Sequence, residues 1–325
     1  MRAAVLGGGA WGTALAQLLA HDGAAVTWWM RDGAAAEAAR ATRRSPRLPG
    51  VTLAPSVVPT AERDAVADAA LVLVAVPVQA MGEALAGFDR VLRRDAILCL
   101  CSKGMERGTL ALPAQVAERA LPGRPVVVLS GPSFAQDVAV GLPTAVTLAG
   151  EDLGALELAQ RRLTTPAFRP YGSDDPLGAQ VGGAVKNVLA IACGIAVARG
   201  LGPSAHAALV ARGHAEMVRL ALAMGAKAET IQGLSGLGDL VLTCGSDRSR
   251  NFALGLRLGD PDRETEAMGV SEGAKSAAPV LAIAGKANVE MPVCAEVESV
   301  LDGGSVGEAV ERLLARPIPS RESIS

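Results

Sequence analysis

Residues 3–16 read AAVLGGGAWGTALA, an apolar run that passes through a glycine-rich turn into an alanine- and leucine-rich stretch of helical character. Gly7, Gly9 and Gly12 occupy the glycine positions of a G-x-G-x-x-G pattern. Glycine at the first two positions lets the backbone turn sharply and approach a pyrophosphate, and glycine at the third lets the helix pack against the strand. The stretch therefore predicts a dinucleotide-binding strand–turn–helix. A structural glycine turn is the alternative, since the chain has 37 glycines.

Further short apolar runs follow up to about residue 173, separated by stretches of helical period. Several lack polar alternation, which is typical of strands buried on both faces of a parallel sheet. The predicted strands are Ala3–Leu6, Ala25–Met30, Leu71–Val76, Ala96–Cys101, Val126–Leu129 and Ala145–Leu148. We predict an α/β Rossmann-like domain with a mostly parallel sheet over residues 1–173.

The remaining residues, 174–325, contain long helical patterns and no comparable series of strands. The patterns are Gly182–Ala198, Ala205–Met224 and Gly273–Ala287. We predict an all-α domain that begins near Asp174. The first pattern is an apolar segment of about membrane length, but Lys186 near its middle favours a buried helix over a membrane span.

Composition favours a small-molecule partner. The chain of 325 residues has 31 basic and 33 acidic residues, so no charge excess draws it to nucleic acid or to an anionic membrane. Five cysteines without a CxxC pair indicate buried thiols in a reducing, cytoplasmic compartment, and we expect no metal site, no export signal and no membrane span. A homodimer is compatible with the sequence.

The type of cofactor depends on the end of the second predicted strand, where NAD-binding proteins usually place an acidic residue for the ribose. Here Arg31 precedes Asp32. A guanidinium matches the 2′-phosphate of NADP in charge and geometry, so the sequence favours NADP without excluding NAD. A solvated loop charge is the alternative interpretation of Arg31.

Polar residues follow three predicted strands, at the edge of a parallel sheet where ligands bind. Pro77 follows one strand, residues 102–104 (SKG) the next and residues 130–135 (SGPSFA) the third. Lysine is scarce, with five in the chain, yet Lys103 lies at a strand end and Lys186 inside an apolar helix. Burial would lower the pKa of Lys186 toward a range useful for proton transfer. A surface turn for Lys103 and a lysine that reaches solvent for Lys186 are the alternatives.

A second polar group lies in the helical half. Ser249, Arg250 and Asn251 precede a helical run from about Phe252 and offer hydroxyl, guanidinium and amide donors to a phosphate. A helix N-cap beside surface charges is an equally good interpretation. The three histidines show no pairing or metal-ligand spacing, which indicates surface or structural roles.

Together these residues resemble the bacterial-type NAD(P)-dependent sn-glycerol-3-phosphate dehydrogenase family. The matching pieces keep their order across most of the chain: GGGAWGTALA at 7–16, SKG at 102–104, SGPSFA at 130–135, GGAVKNVLAIACG at 182–194, ARGHAEM at 211–217, GLSGLGDLVLTC at 233–244 and RSRN at 248–251.

The resemblance implies a role for individual residues. Lys186 would be the general acid and base. The substrate would contact Lys103, Gly131, Ser133, Lys186, Asp239, Ser249, Arg250 and Asn251. The cofactor would contact Gly7, Gly9, Ala10, Trp11, Gly12, Arg31, Lys103, Ala135, Arg250, Val270 and Glu272. Glycerol phosphate made by such an enzyme would supply phospholipid synthesis.

The sequence departs from the family pattern at two places. Ala10 stands where serine is frequent, which removes one hydroxyl from the glycine turn. Residues 202–207 read GPSAHA where the pattern is closer to GxNART, so Ser204, His206 and Ala207 replace an amide, an arginine and a threonine. The second departure puts substrate affinity or range in question.

The mechanism expected from the resemblance is hydride transfer from reduced nicotinamide to dihydroxyacetone phosphate, with proton donation from Lys186. A dehydrogenase for a hydroxy acid or a ketopantoate-like substrate is one alternative. A nonenzymatic NADP-binding sensor is the other, and the two motif lysines count against it.

Overall fold

The computed structural model describes residues 1–260 and 271–317. The chain divides into two compact units. The first unit comprises residues 1–102 and 113–176, and the second comprises residues 103–112 together with the chain from 177 onward. The sequence placed one boundary near Asp174 and did not indicate that residues 103–112 group with the helical half.

The first unit alternates strands and helices. Its strands are β1 (Ala3–Leu6), β2 (Val26–Trp29), β3 (Arg44–Ser45), β4 (Leu48–Thr52), β5 (Val57–Thr60), β6 (Leu71–Val74), β7 (Ile97–Leu100), β8 (Val126–Ser130), β9 (Thr144–Ala149) and β10 (Phe168–Ser173). Its helices are α1 (Ala10–Leu19), α2 (Gly33–Thr42), α3 (Val78–Ala86), α4 (Pro113–Ala120), α5 (Ala135–Ala139) and α6 (Leu153–Leu163). The predicted Rossmann-like α/β class is confirmed.

Eight strands form one sheet in the order β10-β9-β8-β7-β6-β1-β2-β5. The β8–β9 pair is antiparallel, and the other neighbours are parallel. The chain leaves β1 toward β2 on one side and later returns to β6 on the other, so β1 is the topological switch point at whose carboxyl end such sheets bind ligands.

All six predicted strands are present, with ends that differ by at most two residues. The sequence missed β3, β4, β5 and β10. β5 and β10 are the two edges of the sheet, and β3 pairs with β4 in a separate hairpin. Edge strands tolerate proline and exposed residues, as Pro59 and Pro170 illustrate, so they lack the uninterrupted apolar run of a central strand.

The second unit is helical in the part that the structure describes. Its helices are α7 (Pro176–Ala198), α8 (Gly202–Ala223), α9 (Ala228–Gln232), α10 (Asp239–Cys244), α11 (Arg250–Gly259), α12 (Glu272–Lys286), α13 (Pro292–Leu301) and α14 (Val306–Leu314), with a π-helical turn at Leu234–Gly238 between α9 and α10. The predicted all-α class is confirmed. The sequence did not predict α9, α10, α13 and α14, because these helices are short or lack a long apolar period.

Helix α7 is the centre of this unit. It is long and apolar enough to pass for a membrane span, but 83% of its most apolar window is buried inside the protein. Every residue from Gly178 to Ala196 is buried. A helix that is apolar all round is buried on all sides, which explains the composition without a membrane.

Glycines allow α11 to approach α7 at backbone distance. A Cβ at Gly194 would lie 2.2 Å from the carbonyl oxygen of Phe252, and a Cβ at Gly255 would lie 2.1 Å from that of Ile191. Real Cβ atoms do not come this close to a backbone oxygen, so any side chain at either position separates the two helices.

We expect Gly194→Ala to lower the free energy of unfolding by about 2 kcal/mol, because overpacking outweighs alanine's better helix propensity. Gly285→Ala is the matched control, since Gly285 lies in α12 and a Cβ there would meet nothing within 4 Å. The control should gain up to about 1 kcal/mol. Urea denaturation measures both; equal stabilisation by the two alanines would contradict this account of the packing.

Candidate active site

The glycine turn after β1 has three differently constrained positions. Gly7 has φ +131°, and a Cβ there would lie 2.7 Å from the carbonyl oxygen of Ala75. A Cβ at Gly12 would lie 2.0 Å from the carbonyl oxygen of Gly7, so the helix touches the turn. At Gly9 a Cβ would meet nothing within 4 Å. The fold itself therefore requires glycine at the first and third positions but leaves space at the second.

The space at Gly9 lies at the start of α1. Gly9 is the N-cap of this ten-residue helix and has no side chain with which to satisfy the first-turn amides. Four N–H groups at a helix start lack intrahelical partners, and the helix dipole makes them a site for an anion. The turn thus fits the pyrophosphate of a dinucleotide.

Ala10 is the first residue of α1. The indole N–H of Trp11, the next residue, donates to the carbonyl oxygen of Cys101 at 3.1 Å, which connects the start of the helix to the end of β7.

The end of β2 presents a cation. Asp32 caps α2, where its carboxylate accepts a hydrogen bond from the amide of Ala35 at 3.1 Å. Arg31 is exposed and has no hydrogen-bond or ion-pair partner in the described part of the chain. The acidic residue is thus occupied in helix capping, and the guanidinium is available to a ligand.

The other predicted residues of the first unit follow β8. Because β1, β6, β7 and β8 are parallel, their carboxyl ends lie at the same edge of the sheet, as predicted. Gly131 has φ +148°, and a Cβ there would lie 2.9 Å from the Cα of Val146. The Ser133 hydroxyl donates to the carbonyl oxygen of Gly131 at 3.0 Å, and Ala135 begins α5.

The second unit brings two lysines to one carboxylate. The Lys186 ammonium donates to Asp239 Oδ1 at 2.7 Å and to the hydroxyl of Thr243 at 2.8 Å. The Lys103 ammonium donates to Asp239 Oδ2 at 2.6 Å. Asp239 is 1% exposed and Lys186 is 7% exposed. We call Asp239 and Thr243 the lysine cradle.

Local structure explains how the cradle reaches α7. The π-helical turn before α10 contains Gly236, where a Cβ would lie 2.0 Å from the carbonyl oxygen of Ile231. On α7, a Cβ at Gly182 would lie 2.6 Å from the carbonyl oxygen of Ser235. The approach at Gly236 folds the turn onto the end of α9, and the approach at Gly182 brings the turn, which leads into α10, against α7. Asp239 and Thr243 share one face of α10 because they are four residues apart.

The environment of Lys186 changes its acidity. Burial lowers the pKa of Lys186 to about 8, and the positive charge of Lys103 acts in the same direction. The carboxylate of Asp239 opposes the shift by favouring the ammonium form. The lysine can therefore exchange a proton near neutral pH, which is the property that a general acid and base needs.

The first turn of α11 combines capping with an exposed guanidinium. Ser249 caps the helix and accepts from the amide of Phe252 at 3.3 Å, as the alternative interpretation foresaw. Asn251 donates to Asn187 Oδ1 at 2.9 Å and accepts from the amide of Gly273 at 2.8 Å. Arg250 is exposed at the positive end of the ten-residue helix, where it is well placed for an anion.

Glu272 begins α12 and has an unusual carboxyl group. Its Oε2 is buried without a hydrogen-bond partner among the described residues. Burial raises the pKa of this carboxyl, and the cations Lys275 and Arg250 oppose the change. An orphaned acceptor of this kind is suited to a ligand donor such as a ribose hydroxyl. Val270, also predicted to contact the cofactor, lies outside the described residues.

Sequence reasoning assigned no role to Thr243 or Asn187. Thr243 lies four residues after Asp239, so the helical period of its motif was an available signal. Asn187 follows Lys186 directly and links to Asn251 across 64 residues of sequence, a pairing that no local pattern indicates.

The fold and the site define an NAD(P)-dependent oxidoreductase with a nucleotide-binding α/β unit and a helical unit that carries a buried lysine. Comparison with known families narrows this class. The model of the N-terminus of NAD-dependent glycerol-3-phosphate dehydrogenase matches residues 2–155, and that of its C-terminus matches residues 175–311. The chain belongs to this family.

Individual relatives agree with this assignment. The chain is 50% identical over 319 residues to glycerol-3-phosphate dehydrogenase (NAD(P)+) of Methylobacterium radiotolerans, covering 97% of this chain and 96% of the relative. It is 51% identical over 326 residues to a Sphingopyxis alaskensis enzyme of the same name, covering 97% and 96%. The crystal structure of glycerol-3-phosphate dehydrogenase from Coxiella burnetii superposes with a TM-score of 0.92 at 37% identity, covering 97% of this chain and 99% of that chain.

We expect Gly9→Ala to lower the melting temperature only slightly, because alanine is a poorer N-cap than glycine, and to weaken NADPH and NADH binding at least about tenfold, because the added methyl occupies ligand space. Gly12→Ala should reduce both stability and binding. Thermal unfolding and fluorescence titration with the cofactor measure the two effects. Unchanged cofactor affinity in a folded Gly9→Ala variant would contradict the assignment of the turn.

Proposed function

We propose that the chain interconverts dihydroxyacetone phosphate and sn-glycerol 3-phosphate with Lys186 as the general acid and base. The observation that carries the proposal is the buried lysine, whose pKa is lowered to about 8 and whose ammonium is oriented by the lysine cradle. An ammonium has three N–H donors. Asp239 and Thr243 take two, which leaves the third for the oxygen of a substrate.

The chemistry divides between cofactor and protein. The reduced nicotinamide, when bound, supplies a hydride to the carbonyl carbon. Lys186 donates a proton to the carbonyl oxygen as negative charge develops there, and in the reverse direction the neutral amine removes the hydroxyl proton. A positioned acid of this kind contributes about 10²–10⁴-fold to the rate.

Arg250 and the positive end of α11 support a phosphate-bearing substrate. The guanidinium offers paired donors, and the first-turn amides add the helix dipole. Ser249 and Asn251, through capping and through the amide bridge to Asn187, hold this turn in place. Binding energy from a phosphate remote from the reacting carbon is then available to orient that carbon. Lys103, Gly131 and Ser133 complete the proposed substrate contacts.

We infer a preference for NADP over NAD from Arg31, whose guanidinium is exposed while Asp32 caps α2. The remaining cofactor contacts, proposed from the family motifs, are the glycine turn with Ala10 and Trp11, then Lys103, Ala135, Arg250, Val270 and Glu272. Glu272 is supported by its orphaned buried oxygen.

We also infer a cytoplasmic enzyme that supplies glycerol phosphate to phospholipid synthesis, with a small-molecule substrate and no nucleic-acid partner; a homodimer is compatible with this role. All five cysteines are free and buried, as predicted, which suits a reducing compartment.

The rival substrate class, hydroxy acids and ketopantoate-like compounds, carries no phosphate. The phosphate-binding features of α11 favour the triose phosphate.

The absorbance of NADPH measures its oxidation by dihydroxyacetone phosphate. This reaction should proceed at low pH and slow as pH rises through about 8, because the acid form of Lys186 is lost. Oxidation of glycerol 3-phosphate should accelerate over the same range. Ketopantoate and simple 2-oxo acids serve as comparison substrates. Two results would refute the proposal. One is faster turnover of these acids than of dihydroxyacetone phosphate, and the other is the same pH dependence for the reduction and the oxidation.

Arg31→Ala should raise the KM for NADPH about tenfold or more and leave that for NADH within about twofold, since one charged hydrogen-bonding partner of the 2′-phosphate is lost. Arg40→Ala is a control of equal charge change, because Arg40 lies on α2 and binds Glu37 and a backbone carbonyl. An equal rise in the KM for both cofactors would show that Arg31 does not bind the 2′-phosphate.

A further inference from the structure

His206 is a side chain that the proposed mechanism does not use. It lies on α8, in the stretch 202–207 that departs from the family pattern. Its Nε2 is 2.9 Å from the carbonyl oxygen of Cys244, and its ring packs edge-on against Phe252 with centroids 6.4 Å apart. A carbonyl oxygen only accepts hydrogen bonds, so the imidazole nitrogen donates here.

The two partners of His206 lie at the two ends of one turn. Cys244 is the last residue of α10, and Phe252 lies in the first turn of α11. The carbonyl groups at the end of a helix lack intrahelical partners, so the imidazole satisfies one of these acceptors. One side chain from α8 thus contacts both α10 and α11 across residues 245–249.

These two helices carry different parts of the candidate site. α10 holds the lysine cradle, and Cys244 directly follows Thr243. α11 begins with Arg250 and Asn251, and Phe252 directly follows them. The turn therefore acts together with the glycine contacts between α7 and α11 and with the bridge from Asn251 to Asn187 in setting where a phosphate at Arg250 lies relative to the ammonium of Lys186. Within the turn, the amide of Ser249 donates to the carbonyl oxygen of Ser246 at 3.0 Å, but this bond does not reach either helix body.

We propose that His206 is a positioning residue that fixes the turn between α10 and α11 and thereby sets the spacing between the lysine cradle and the phosphate-binding end of α11. The inference rests on the proposed function, because it assumes a substrate that spans these two points. It adds that substrate affinity depends on a residue of α8 that needs no contact with substrate.

Substitutions at His206 can separate the hydrogen bond from the packing. His206→Gln keeps an N–H donor, His206→Phe keeps a ring against Phe252, and His206→Ala removes both. Arg219→Ala is the matched control: Arg219 also lies on α8 and also donates to a backbone carbonyl, that of Glu290, away from the turn.

Steady-state kinetics with dihydroxyacetone phosphate and NADPH test the proposal, with cofactor affinity and melting temperature measured on the same samples. His206→Ala should raise the KM for dihydroxyacetone phosphate about tenfold, as loss of one partly buried hydrogen bond predicts, with a smaller fall in kcat and unchanged NADPH affinity. His206→Gln should recover to within about threefold of wild type, and Arg219→Ala should match wild type. If His206→Ala does not fold, a KM for His206→Phe well above that for His206→Gln carries the same conclusion.

Three results would overturn the inference. The first is a KM for folded His206→Ala within about twofold of wild type. The second is equal impairment of the glutamine, phenylalanine and alanine variants, and the third is the same rise in KM for Arg219→Ala. Failure of the proposed function is distinguishable, because the wild-type chain itself would then show no turnover of dihydroxyacetone phosphate, and the inference would fall with it.

Discussion

Asp239 accepts hydrogen bonds from two ammonium groups, and the chemistry of the site depends on this arrangement. The carboxylate is almost completely buried, and each of its oxygens faces one lysine at 2.6–2.7 Å. Burial of charge is costly unless the charges are paired, and a buried ion pair generally adds little net stability. The arrangement is therefore better explained by function: Asp239 favours the ammonium form of a lysine inside an apolar helix, while burial lowers the pKa of that lysine to about 8.

Several features of the helical unit make this pairing geometrically feasible. Gly182 lets the π-helical turn that precedes α10 pack against the backbone of α7, and from α10 Asp239 and Thr243 reach Lys186. Residues 103–112 belong to the same unit, so Lys103 reaches Asp239 although it follows a strand of the first unit in sequence. The amide bridge from Asn187 to Asn251 then connects the lysine-bearing helix to the start of α11.

Sequence patterns predicted the parts of this protein that depend on local periodicity or on backbone strain. Central strands such as β6 and β7 were visible because burial on both faces demands an uninterrupted apolar run. Edge strands β5 and β10 were not, because one exposed side admits proline and polar residues. The glycine turn was predictable since the close contacts at Gly7 and Gly12 leave no other residue type.

Side-chain contacts between residues distant in the chain could not be predicted from local sequence patterns. The apolar surroundings of Lys186 indicated a lowered pKa, but Asp239 entered only through the family motif, and Thr243 was not singled out at all. Ser249 illustrates the opposite case: its residue type suited both a phosphate ligand and a helix cap, and the structure shows the cap. Side-chain contacts between distant segments, here 53 residues apart, are fixed by the tertiary packing of α7 and α10.

The most direct test of the role of Lys186 compares turnover and cofactor binding in Lys186→Ala. We predict that kcat for dihydroxyacetone phosphate reduction falls at least about 10²-fold, as expected for loss of a positioned acid, while the variant stays folded and binds NADPH as wild type does. Wild-type turnover in this variant would contradict the role of Lys186 as general acid and base. A loss of turnover that is fully explained by loss of folding and of NADPH binding would contradict it as well.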